Sequence, residues 1–69
     1  MEYTLFVPKS RRLSVWYLGV QPRESFVYPG QRVLVQGTLS ELIAFVRKQF
    51  GQTSVPHLLT LVAELQLGL

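Results

Sequence analysis

The stretch Gly37-Thr38-Leu39-Ser40-Glu41-Leu42-Ile43-Ala44-Phe45-Val46-Arg47-Lys48-Gln49-Phe50-Gly51 decides how the rest of the chain is read. Leu39, Leu42, Ile43, Val46 and Phe50 recur at i, i+3, i+4, i+7 and i+11, one face of an α-helix. Thr38 and Glu41 have the spacing of a capping box: the hydroxyl accepts from the Glu41 amide, and the carboxylate accepts from the Thr38 amide. Arg47 and Lys48 suit the negative end of the helix dipole, and Gly51 is placed to end the helix. The spacing predicts an amphipathic helix over 39–50, its apolar face widened by Phe45, which falls outside the stripe.

Upstream of this helix the pattern is that of strands. Tyr3 to Val7 is β-prone and stops at Pro8, and Pro8-Lys9-Ser10-Arg11 is a polar turn. Leu13 to Val20 is rich in β-branched and aromatic residues and stops at Gln21-Pro22-Arg23-Glu24, a turn with proline at its second position. Ser25 to Tyr28 is a further short run, closed by the turn pair Pro29-Gly30, and Arg32 to Gln36 follows. Connections this short predict an antiparallel meander rather than parallel crossovers.

Downstream, two periods overlap. Every odd position from Leu59 to Leu69 is apolar, as in a strand, yet Leu58, Leu61, Val62, Leu65 and Leu69 also share one helix face. The Leu, Ala, Glu and Gln content and the Ser54-Val55-Pro56 start incline toward helix. The expected architecture is a small α+β domain: an antiparallel sheet of three or four strands in residues 1–36, the 39–50 helix, and a C-terminal helix or strand in 55–69. Residues 1–69 are expected to form a single compact domain. This order of elements recurs in many unrelated small domains and carries no diagnostic motif.

Composition narrows the function classes. Sixty-nine residues leave no room for a nucleotide-binding half beside a second domain. Without cysteine there is no disulfide scaffold and no thiolate metal site, which suits a reducing cytoplasm. Lys9, Arg11 and Arg12 imitate the basic start of a targeting segment. The apolar run behind them, Val15 to Val20, is broken by Gly19 and is shorter than the roughly 7–15 residues such a segment needs. It is also far short of the ~20 residues of a membrane span. The chain reads as untargeted and cytoplasmic, with no membrane partner.

Catalytic constellations are sparse. The chain has one histidine, His57, and no aspartate; its four glutamates, Glu2, Glu24, Glu41 and Glu64, are far apart in sequence. No Ser-His-Asp triad, paired-carboxylate spacing or metal-ligand motif is present. His57 reads as a solvated or capping residue, and no phosphate-binding loop accompanies Gly37-Thr38, whose amides the cap consumes. The expectation is a non-enzyme with no cofactor, no metal and no small-molecule substrate.

Two binding readings remain. Hydrophobic residues make up 48% of the chain and charged residues 16%, against about 25% charged in typical domains. A chain this short buries only about 60% of its unfolded surface alone, so apolar side chains are expected to stay exposed for a larger protein partner or a homodimer. If residues 13–20 form a strand, Leu13, Val15 and Tyr17 line one face and Trp16, Leu18 and Val20 the other. One of these faces then needs the tail, a twin subunit or a partner to cover it. Trp16 and Tyr17 are the expected anchors of a protein-binding module acting as regulator, inhibitor or accessory subunit, with Lys9, Arg11 and Arg12 supplying rim charge. The alternative is nucleic-acid binding. There the net charge of +3, the basic turn at Lys9, Arg11 and Arg12, and aromatics Trp16, Tyr17, Phe26 and Tyr28 on neighbouring strands would track phosphates and stack bases.

Overall fold

Residues Glu2–Pro8 form β1, the middle strand of a three-stranded sheet in a computed structural model that describes residues 1–68. β2 (Gly19–Pro22) and β3 (Gln31–Thr38) flank it, each antiparallel to β1, in the order β2-β1-β3. Two helices follow, α1 (Leu39–Phe50) and α2 (Val55–Gln66), joined by Gly51 and a single 3-10 turn, Gln52–Ser54. The α+β class is as the sequence predicts, and the tail is helical. Leu69, the last residue of the expected C-terminal element, lies outside the described residues.

Tyr3, Leu5 and Val7 alternate along β1 and point into the core, where they meet Leu42 and Val46 of α1 and Val55, Leu58 and Val62 of α2. Phe45, Leu61 and Leu65 pack against its margin. The buried Tyr3 hydroxyl accepts from Gln66 Nε2 at 2.8 Å. This bond ties the end of α2 to the start of β1 and satisfies the one polar atom of that ring.

Three expectations are corrected. The sheet is not a meander, because β1 lies between the other two strands and the β2–β3 connection must cross it. Residues 13–20 are not one strand: Val15–Tyr17 is a 3-10 turn and β2 begins only at Gly19. Ser14 causes the break, since its hydroxyl accepts from the Trp16 amide at 3.3 Å and its carbonyl from the Tyr17 amide at 3.1 Å. The two-faced apolar strand therefore does not exist, and of residues 13–20 only Leu18 is buried.

Ser25–Tyr28 is the third correction. It joins no ladder but forms an extended strap from the Glu2 end of the sheet to the Pro8 end. With both helices on one face, the strap takes the other, where the outward-facing Thr4 is fully buried and accepts from Gln36 Nε2 at 2.9 Å. Gln21 pins the strap by donating to the Phe26 carbonyl at 3.1 Å, and Gln31 accepts from the Tyr28 amide at 2.8 Å. Ser25 and Val27 are half-buried, so Phe26 and Tyr28 face outward, edge to face at 5.0 Å between centroids.

The head of α1 carries the predicted capping box. The Thr38 amide donates to Glu41 Oε1 at 3.0 Å and the Glu41 amide to Thr38 Oγ1 at 3.4 Å. Thr38→Ala is expected to cost about 1 kcal/mol, a fall of roughly 4–8 °C in Tm for a domain of this size. The Thr38 amide, then its hydroxyl, holds the Glu41 carboxyl below the usual carboxylate range; burial opposes this and the Arg23 charge assists. A carboxylate depressed by folding stabilises above its unfolded pKa, about 4.3, and loses that contribution as pH falls through the lower folded value. The acid limb of Tm against pH is therefore expected to be steeper in the wild type than in Glu41→Gln, measured by thermal melts across the acid range.

Candidate functional site

The Pro8 end of the sheet gathers the residues named from sequence. Pro8 O accepts from the Arg11 amide at 3.1 Å, which starts the turn carrying Lys9, Arg11 and Arg12. All three side chains are exposed. The Lys9 amide extends the β1–β3 ladder by donating to Gly30 O at 2.7 Å. The guanidinium of Arg11 lies over the Tyr17 ring, 5.2 Å from its centroid, a cation–π contact.

Trp16 is 79% exposed, far more than a core indole would be, and sits at the crest of the Val15–Tyr17 turn. Its ring neighbours that of His57 in the first turn of α2, 6.0 Å between centroids and tilted by 59°. Sequence reasoning set His57 apart from the site, and no local signal joins residues 16 and 57. The four aromatics named for nucleic-acid stacking do not lie in strands. Trp16 and Tyr17 occupy the 3-10 turn, and Phe26 and Tyr28 the strap, so these four do not share a sheet face.

Charge is segregated along the molecule. The register of Glu2 with Thr38 and of Tyr3 with Pro22 brings the start of β1, the ends of β2 and β3 and the head of α1 to one end. Gln66 brings the last turn of α2 there as well. All four glutamates fall in that half, together with Arg23, which pairs with Glu2. That exposed pair contributes little to stability. α1 leads away from this end and α2 returns to it, so the opposite end holds Lys9, Arg11, Arg12, Arg32, Arg47 and Lys48. These are six of the seven lysines and arginines, and His57 lies with them.

Between the two ends, beside β2, the seam with α2 opens into a shallow groove of about 280 Å³ lined by Phe6, Gly19, Val20, Leu61, Glu64 and Leu65. Gly19 leaves room for the Phe6 ring: a Cβ there would stand 2.5–3.0 Å from the far carbons of that ring. Gly19→Ala is expected to displace that ring and cost about 1–3 kcal/mol. Phe6→Leu in the same chain is expected to recover part of the loss in thermal melts.

Among the described residues no three His, Cys, Asp or Glu side chains group as metal ligands, and no helix is long and apolar enough to cross a membrane. What the site offers is an exposed aromatic crest, a cationic end and an apolar seam. No family model, curated protein or solved structure matches this chain.

Proposed function

We propose that the chain is a non-enzymatic protein-binding module, a regulator, inhibitor or accessory subunit that acts by occupying a surface of a larger protein in the reducing cytoplasm. Trp16 and Tyr17 are its anchors, and Arg11, Arg12 and Lys9 form the rim that steers an acidic partner. The observation that carries this reading is the exposure of Trp16, the single tryptophan, on a turn held by Ser14 rather than by packing of the indole. An indole left in water beside a cation–π pair gains most when a partner covers it.

A photoreactive benzophenone amino acid at position 16, irradiated in the source cell, tests the reading. Adducts with a defined protein are expected, and adducts with nucleic acid alone, or none, overturn it. The gathering of six cations at one end favours a second reading, nucleic-acid binding. That reading expects labelled oligonucleotides to bind at low salt and lose affinity steeply as salt rises, by anisotropy.

A further inference from the structure

We infer that the protein partner of this module includes a second copy of the chain, paired antiparallel along the β2 edge about a twofold axis at Val20. The inference rests on the protein-binding reading and names one occupant for the groove. The Arg23 amide donates to Glu2 O at 3.1 Å, so Arg23, Gln21 and Gly19 turn their main-chain groups toward β1. By the antiparallel alternation, Val20 and Pro22 turn theirs outward. Pro22 has no N–H, and the Leu18 N–H is already given to Val15 O at 3.4 Å. Among the described residues, Val20 is thus the one on this edge that presents both a donor and an acceptor without a partner. The only reciprocal pair two such edges can form is Val20 with the second copy's Val20, which fixes the register.

Charge complementarity selects a second copy as occupant. β2 runs from the cationic end of the molecule to the acidic end. Antiparallel pairing therefore sets the cationic end of each copy beside the acidic end of the other, whereas parallel pairing would set like charges together. The same rotation brings the two grooves into one seam. Val20, Leu61 and Leu65 of each copy then cover the other's, and Glu64 in the last turn of α2 comes toward the other copy's first turn, where His57 and Trp16 lie. A twofold contact of this kind is self-complementary and closed, so it stops at the dimer.

Sedimentation equilibrium of the full chain, from about 1 μM to about 1 mM and at low and physiological salt, tests the inference. The mass is expected to rise from 7.9 kDa toward twice that value. The dissociation constant is expected to increase several-fold with salt as the paired ends are screened. A synthetic chain with N-methylated Val20 keeps the isopropyl side chain and replaces the outward N–H with a methyl. Val20→Pro, its encoded counterpart, also lacks the N–H while changing the side chain that lines the groove. Both are expected to keep the wild-type circular dichroism and to dimerise at least tenfold more weakly. A single-chain mass at every concentration overturns the inference, as does a dimer indifferent to both Val20 changes. A monomer whose position-16 probe still couples to another protein leaves the module reading standing while removing the second copy. Loss of both the mass increase and the adducts removes both.

Discussion

Leu58→Ala is expected to lower the unfolding midpoint by roughly 10–30 °C, while Leu59→Ala, one residue along, barely moves it. Leu58 is fully buried, within one core with Leu5, Val7, Leu42 and Val46, whereas Leu59 is 41% exposed. Removing a buried leucine costs about 2–5 kcal/mol, because the lost transfer energy is joined by the cavity left behind. A chain of this length has only about 3–10 kcal/mol of total stability. The loss therefore takes a large share, with no disulfide and, among the described residues, no metal ligand set in reserve. The pair also separates the two periods that overlap in the tail. A strand with odd positions inward buries Leu59 and spares Leu58; the helix does the reverse. Thermal and urea melts followed by circular dichroism read the difference, and equal losses in the two variants would refute the helical facing of α2.

What the sequence made legible follows from how directly each residue's own chemistry sets its surroundings. α1 was readable to the residue because its stripe, its capping box and Gly51 all act within a few positions of one another. Gly51 takes φ 95°, a conformation open to glycine and strained for others. β1 and β3 were readable as strands, but not their order. The signal for a central β1 was nevertheless present. Tyr3 to Val7 holds no charged residue and is buried or half-buried at every position. Gly19 and Pro22 in β2 are residues that strands tolerate at an edge.

Residues 13–20 misled for a different reason. β-branched and aromatic content measures fitness for a pleated, half-buried surface, and here that content serves a turn whose aromatics face water. The hydroxyl of Ser14, a single short-range acceptor, outweighed it. Within the site, Trp16, Tyr17 and Arg11 were named from sequence and do come together. His57 was not, because its place beside Trp16 depends on α2 packing under β2, a contact between segments about forty residues apart.

Trp16→Ala is expected to leave the unfolding midpoint close to wild type and to weaken partner binding about 30-fold or more. The first half follows from exposure. The indole lies outside the buried cluster, and the turn that carries it is held by Ser14 and by the Leu18 amide donating to Val15 O. Surface substitutions of this kind stay within about 0.5 kcal/mol. The second half follows from what a partner gains. An amphipathic ring fixed on a short turn loses little side-chain entropy on binding, and truncating an anchor of this type costs about 2 kcal/mol or more. Arg11→Ala separates anchor from rim, because removing the charge over Tyr17 is expected to slow association and flatten its salt dependence more than it speeds dissociation. Melts run beside binding kinetics, against the protein that couples to the position-16 probe, read both halves. A midpoint loss in Trp16→Ala as large as that in Leu58→Ala makes the tryptophan a structural residue and takes the anchor away from the module. A preserved midpoint with unchanged affinity moves the contact surface elsewhere, to the Phe26 and Tyr28 pair that the strap also leaves in water.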